Sequence, residues 1–315
     1  MMKAFTLYKI GRIRNKWITD GLSEIMSTFM LALFVYASGA QDVLTRGAAS
    51  SPTGRALAAG VGLMLAVYCG FNASGACVNP CIALMFCLTG KLQWRRYPVY
   101  VICEFTGAFI AACFTYGIYS ELISNFDGGK RQMYGENATA HIFTSFPRDD
   151  LSKTTGFFDI FTGCGLLTGT TCMLTDPNNA KTASGVIPLS LVFLLYGILM
   201  SFGFQTGAPI NLTIDFSGRV FTYCAGYGSE VFSRGDYWFW VPPVACVCGT
   251  IAFVTTYQLM IGNHLPMDDE DDNDDKEGTV KSSENRDGFT KDLNHFSSKD
   301  SINTNDTYIA ENTKI

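Results

Sequence analysis

Two short stretches hold the residues best suited to chemistry. One runs from Ser74 to Cys81 as Ser-Gly-Ala-Cys-Val-Asn-Pro-Cys; the other runs from Thr206 to Thr213 as Thr-Gly-Ala-Pro-Ile-Asn-Leu-Thr. In each, small loop-forming residues lead to an Asn, Asn79 or Asn211, and a helix-compatible apolar run follows. Asn is a preferred N-cap, and Pro80 suits the first helical position. A helix N-terminus carries roughly half a unit of positive charge. An Asn amide fixed there adds N–H donors without adding net charge. Such a group suits a neutral hydroxylated solute or water and repels a cation. The plainer alternative is a loop Asn that caps a buried helix.

Little else in the chain is fit for catalysis. His141, His264 and His295 all fall in loop or tail, and no Ser/His/Asp set, phosphate loop or metal-ligand cluster is legible. The acidic run from Asp268 to Asp275 resembles a Ca²⁺ loop only loosely, because the required Gly and terminal Glu are missing. The expectation is therefore no enzyme, no cofactor, no resident metal and no nucleic-acid partner.

The two stretches must be held by the elements around them. The 315 residues are 48% hydrophobic and only 16% charged, against about 25% charged in soluble domains. The apolar residues gather into six runs: Asp20–Ala40, Arg55–Phe71, Arg96–Tyr119, Phe157–Thr175, Thr182–Gln205 and Tyr237–Ile261. Each approaches the roughly 20 residues that a helix needs to cross about 30 Å of hydrocarbon. The two Asn-led stretches are the segments left over. Their helix-compatible parts cover roughly 15 Å, half the hydrocarbon thickness. Each is expected to dip into the membrane and stop.

The chain repeats. Asn79 and Asn211 lie 132 positions apart, and the carboxylate-led helix starts at Glu24 and Asp159 lie 135 apart. Three spans per half is an odd number, so the halves face opposite ways. Broken segments at matching places of inverted halves point to a transport site. Irregular backbone at membrane depth persists only where protein or a wet cavity surrounds it. The expected fold is thus an all-α membrane protein: six transmembrane helices plus two re-entrant half-helices, an inverted repeat of two three-helix halves. The expected organisation is an N-terminal segment 1–17, a channel domain 18–262 and an acidic tail 263–315. The halves are 18–120 and 157–262, joined by a loop over 120–156.

Orientation follows from basic residues in short loops. Lys3, Lys9, Arg12, Arg14 and Lys16 precede the first span, and Lys91, Arg95 and Arg96 precede the third. Both segments are expected in the cytoplasm, with the tail, although Lys130, Arg131, Arg148 and Lys153 in the opposite loop run against the rule. That loop carries the glycosylation sequon at Asn137; those at Asn72 and Asn211 fall within membrane segments. The first apolar run is too long for a cleaved signal. The net charge of −5 hides an acidic tail and a net-basic remainder. The tail is too polar to bury a core. The 11 cysteines sit in or beside apolar runs and read as reduced, buried small residues.

From about Ile18 to Gly262 these features resemble the major intrinsic protein family, in its aquaglyceroporin branch. Both family half-helices begin Asn-Pro-Ala; here they read Asn79-Pro80-Cys81 and Asn211-Leu212-Thr213. From Asn211 to Arg219 the family's N-P-A-R-D-F-G-P-R appears as N-L-T-I-D-F-S-G-R, with Asp215 at the position that separates glycerol channels from strict water channels. Ala225–Ser233, Trp238–Pro242 and Thr175–Asn179 look like further segments of the branch. The resemblance implies a passive channel for glycerol, water and small neutral solutes such as urea. It also implies a homotetramer in a lipid bilayer, the plasma membrane foremost. It implies a carbonyl ladder from Ala76, Cys77 and Val78 and from Gly207, Ala208 and Pro209. It implies that Glu24 and Asp159 accept hydrogen bonds from the re-entrant backbone, where interfacial placement is the alternative. Arg219 matches the motif's final Arg.

The chain departs from the family at its constriction. The four filter positions fall on Ala59, Leu199, Ala208 and Ile214, and Ile214 stands where the family nearly always has Arg. Losing that guanidinium removes a donor fork and a fixed charge. An apolar, wider filter is expected, unless a neighbour refills the gap. Glu104 stands where the family more often has Gln, and a buried carboxyl needs a partner or a proton. A secondary transporter, which would saturate and couple to an ion gradient, and a poorly conducting paralogue with a structural or adhesive role are the other readings.

Overall fold

The computed structural model describes residues 11–266. The expectations placed on Lys3, Lys9 and the acidic run fall outside that range. The described residues form α1 (Lys16–Leu44), α2 (Pro52–Gly70), α3 (Pro80–Leu88), α4 (Tyr97–Asp127), α5 (Lys153–Thr175), α6 (Ile187–Thr206), α7 (Leu212–Thr222), α8 (Glu230–Tyr237) and α9 (Val241–Met260), with no strand among them. By length and composition, six stretches are able to cross a membrane: α1, α2, α4, α5, α6 and the segment Glu230–His264 that contains α8 and α9. The half-helices α3 and α7 have 9 and 11 residues, about 14 to 17 Å at 1.5 Å per residue.

Proline and hydroxyl residues set the starts. Pro52, Pro80, Pro98, Pro188 and Pro242 occupy first turns, where a missing N–H costs nothing. Asn15, Ser51 and Ser152 cap α1, α2 and α5 through their side chains. Most ends fall within five residues of the sequence expectation, and two of those that differ have a visible cause. The third span continues to Asp127, so its connecting segment begins at Gly128 rather than Ser120. Arg131 reinforces those extra turns by bonding Asp127, Tyr116 and Ser124. The last span starts at Val241 rather than Tyr237, because Gly235, Asp236 and Tyr237 all have positive φ and break the helix.

The repeat is visible in the packing. Helix α1 lies along α4 and α2, and α5 lies along α9 and α6. At the α1–α4 crossing a Cβ on Gly107 would collide with the Ile25 carbonyl; at the α5–α9 crossing one on Gly249 would collide with the Phe161 carbonyl. Two equivalent crossings thus need a glycine for the same close approach. Each half-helix is held by the other half: α3 rests on α5 and α9 as well as α4, and α7 rests on α4. Large apolar side chains such as Ile102, Ile118, Phe158, Phe193, Leu259 and Met260 face outward. That exceeds what a soluble monomer shows to water and suits a hydrocarbon surround.

Candidate functional site

In the first half, the turn before α3 is built to expose backbone. Ala76 and Val78 have φ of 48°, a left-handed conformation that costs an L-residue roughly 1 to 2 kcal/mol. Ser74 Oγ accepts the Ala76 N–H at 3.1 Å. The fully buried Glu24 accepts the Cys77 N–H at 3.1 Å and the Val78 N–H at 3.0 Å, one on each carboxylate oxygen. Asn79 Oδ1 then accepts the Cys81 N–H at 3.0 Å and caps α3.

The second half copies this turn and then diverges. Thr206 Oγ1 accepts the Ala208 N–H at 3.2 Å, and Ala208 has φ of 47°. The residue 132 positions after Cys77 is Pro209, which has no N–H to offer. The next N–H, on Ile210, bonds the Ala208 carbonyl at 2.7 Å. Asp159 therefore finds no re-entrant backbone donor, contrary to the expected role. It accepts the Thr206 hydroxyl at 2.8 Å and the Gln205 amide at 3.2 Å instead. Asn211 Oδ1 accepts the N–H groups of Thr213 and Ile214 at 3.1 and 3.4 Å, capping α7.

The two caps cross-brace the junction. Asn79 Nδ2 donates to the Ile210 carbonyl at 3.0 Å, and Asn211 Nδ2 donates to the Val78 carbonyl at 2.8 Å. Each amide therefore spends one hydrogen on the opposite half and keeps one for the cavity it borders. That cavity holds about 690 Å³ and follows α2 from Pro52 to Phe71 and α6 from Ile187 to Phe204. It ends at His141 on one side and at Lys91 and Asp176 on the other. Ala59, Leu199, Ala208 and Ile214 all border it, as do Ala76, Cys77, Gly207 and Pro209. Val78 is buried behind, with its carbonyl taken by Asn211, and Ile210 stands at the lining beside Pro209.

Asp215 and Arg219 hold the His141 mouth. Asp215 Oδ1 accepts the Ser145 N–H at 2.8 Å, the Ser145 hydroxyl at 2.6 Å and the Thr144 hydroxyl at 3.0 Å. Arg219 is fully buried and donates to the Val231 and Ser145 carbonyls at 2.6 and 2.7 Å, with Asp215 Oδ2 at 3.4 Å. It therefore braces the connecting segment and is turned away from the filter. Ile214 is fixed by its backbone: its carbonyl accepts the Tyr36 hydroxyl at 2.6 Å. A guanidinium does border the cavity, on Arg55, one helical turn before Ala59 and paired with Asp42 at 3.4 Å. His141 lines the same mouth; desolvation by the walls around its ring, then the charges of Arg55 and Arg234, lower its pKa to about 4. Glu104 Oε2 has Thr213 Oγ1 as a long partner at 3.4 Å, and its Oε1 is buried without one. Asn137 is half-buried and accepts from Arg46 at 3.0 Å.

Several of these residues escaped the sequence reading. Phe143, Ser145 and His141 reach the mouth only because the connecting segment folds back over Gly218, where a Cβ would strike the Phe143 carbonyl. Loop length alone carried no sign of that. Cys81, Cys164 and Cys246 meet with their sulfurs within 4.8 Å of one another, although spacings of about eighty residues resemble no ligand motif.

The major intrinsic protein family model matches residues 13–257. A probable aquaglyceroporin-2 of Gibberella zeae is 40% identical over 76% of this chain and 70% of its own length. Human aquaporin-10 is 34% identical over 81% of this chain and 85% of its own. The X-ray structure of the aquaglyceroporin from Plasmodium falciparum superposes with a TM-score of 0.70 at 23% identity, covering 78% of this chain and 97% of that one. That structural match carries the fold, six spans and two half-helices, and the sequence matches carry the kinship. The chain belongs to the major intrinsic protein family, and it is accordingly a multi-pass membrane channel and not an enzyme.

Proposed function

We propose that this channel passes glycerol and comparable small neutral solutes, with water and urea, through a constriction that is apolar and wider than a guanidinium-lined one. One observation carries the reading: Ala59, Leu199, Ala208 and Ile214 border the cavity together, and Arg219 is committed to the Ser145 and Val231 carbonyls instead of refilling the gap. A polyol would lay its hydroxyl edge along the carbonyls of residues 76–77 and 207–209 and the two Asn amides. Its C–H edge would lie against Leu63, Leu195 and Leu199. That several relatives are aquaglyceroporins agrees with that class of solute. Cation exclusion then rests on the half-helix N-termini and their amides, with Arg55 adding positive potential at one mouth.

The homotetramer, the plasma membrane and cytoplasmic termini belong to the same proposal. The net-basic short segments before α1 and α4 support that orientation. The deciding experiment is stopped-flow swelling of vesicles that contain the purified chain, under glycerol and sucrose gradients. Fast swelling in glycerol, linear in the gradient and indifferent to a proton or sodium gradient, is the expected result. Saturation with ion coupling would favour a transporter. Behaviour equal to that of empty vesicles in every solute would leave a structural or adhesive role.

A further inference from the structure

Three thiols converge behind the second carbonyl ladder. Cys81 lies in the first turn of α3, Cys164 in α5 and Cys246 in α9; all three are buried, and none borders the cavity. Cys164 Sγ lies 3.7 Å from the Ile210 carbonyl and Cys246 Sγ lies 3.4 Å from the Pro209 carbonyl, both within S–H···O reach. Thr250 Oγ1 lies 3.7 Å from Cys164 Sγ. The pore reading uses none of these sulfurs.

We propose that Cys81, Cys164 and Cys246 form a three-sulfur site for a soft monovalent cation, Cu(I), whose binding slows permeation. Soft sulfur ligands select Cu(I) and Zn(II) among available metals. A metal–sulfur bond of about 2.3 Å in a trigonal site needs sulfurs about 4.0 Å apart, so a spacing within 4.8 Å closes by less than 1 Å. Coordination number separates the two ions. Zn(II) in a closed site takes four ligands, and three sulfurs meet here among the described residues; Cu(I) is satisfied by three. On binding, one S–H bond breaks, its proton passes to bulk water, and the thiolate left behind balances the charge of Cu(I). The other two sulfurs donate lone pairs as thiols, so three Cu–S contacts form and no net charge is left at membrane depth, where an unpaired charge is costly.

The site is wired to the pore through backbone. Ile210 O accepts from both Cys164 and Asn79, and the Asn79 side chain also caps Cys81. A metal that draws the three sulfurs inward re-aims the S–H groups and takes their support from the Pro209 and Ile210 carbonyls. The ladder and the Asn79 amide shift with them.

The test uses the full chain in lipid nanodiscs with excess reductant, titrated with Cu(I) against bathocuproine disulfonate. Wild type is expected to retain one more Cu(I) per chain than Cys246→Ser, which keeps a hydroxyl donor to Pro209 but loses the soft ligand. The remaining ten cysteines are common to both chains. Cys81→Ala gives the same comparison from another helix and guards against misfolding of either variant. Glycerol-driven vesicle swelling is expected to fall at least about threefold on copper loading in wild type, and to change less than about 1.3-fold in either variant. Equal copper retention in all three chains overturns the site. A difference in retention without a difference in swelling overturns the coupling. The copper count does not depend on what the pore conducts, so it stands or falls separately from the proposed solute class.

Discussion

The two half-helix turns share a geometry and differ in what holds it. Ser74 and Thr206 hold Ala76 and Ala208 in the same way, at φ of 48° and 47°. Beyond that point the first turn presents two N–H groups that a buried Glu24 must accept. The second turn presents none, because Pro209 lacks its N–H and Ile210 bonds back to Ala208. A single proline therefore changes the job of a carboxylate one helix away. Glu24 fixes backbone directly, whereas Asp159 fixes the side chains that end α6. Equivalent positions of a repeat can thus carry unequal shares of stability, and the share follows the donors that need a partner.

The sharpest way to break this comparison is to remove each carboxylate in turn. Glu24→Ala leaves two buried N–H groups unpaired, at about 1 to 3 kcal/mol each, and is expected to abolish a folded pore. Asp159→Ala strips one hydroxyl and one amide of an acceptor, and is expected to cost about 1 kcal/mol. Thermal unfolding in detergent and vesicle swelling both read the difference. Equal losses for the two variants would mean that the halves are supported alike.

A second difference lies at the filter, which only the second half-helix enters. Ile214→Arg is expected to restore a donor fork and narrow the passage. Swelling in a four-carbon polyol should fall about tenfold, equivalent to about 1.4 kcal/mol, while water passage changes less than about twofold. Unchanged selectivity would remove Ile214 from the constriction.

Much of this architecture was legible in the sequence because it is periodic. The offset of 132 residues between Asn79 and Asn211 announced the repeat, and six apolar runs fixed the spans to within a few residues at most ends. The asymmetry was harder to read. Pro209 was visible, but its effect on Asp159 depends on which N–H groups face α5, and that is a matter of three dimensions. The long turns of α4 past Tyr119 depend on Arg131, a residue outside the apolar run. The partner of Glu104 proved to be Thr213, 109 positions away. Two departures from the family, Glu for Gln and Thr for Ala, thereby turn out to be neighbours.

That pair yields a smaller test of how the second half-helix is anchored. Thr213→Ala removes the hydroxyl that reaches Glu104 across the junction, and is expected to lower stability by about 1 kcal/mol. Glu104→Gln placed in that background should recover most of the loss, because a neutral amide costs less to bury than a carboxylate. Additive losses in the double variant would mean that the two residues do not communicate.

The smallest effect is expected at the mouth, where His141 borders the cavity with Arg55. An ordinary histidine titrates near 6.5 and would add a positive charge to the mouth on acidification to pH 5.5. With its pKa lowered to about 4 by enclosure and then by Arg55 and Arg234, His141 stays neutral there. Glycerol permeation is therefore expected to vary by less than about 1.3-fold from pH 8 to 5.5, and His141→Gln to leave that flat profile in place. The sign for stability is opposite to that of a paired histidine. Between about 6.5 and 4 the unfolded chain binds this proton and the folded one does not, so His141 makes the fold less stable as pH falls through that window. His141→Gln should flatten the acid limb of the unfolding profile slightly. A permeation step near pH 6 that disappears in His141→Gln would show the imidazole titrating freely and adding its own charge to that of Arg55 at the mouth.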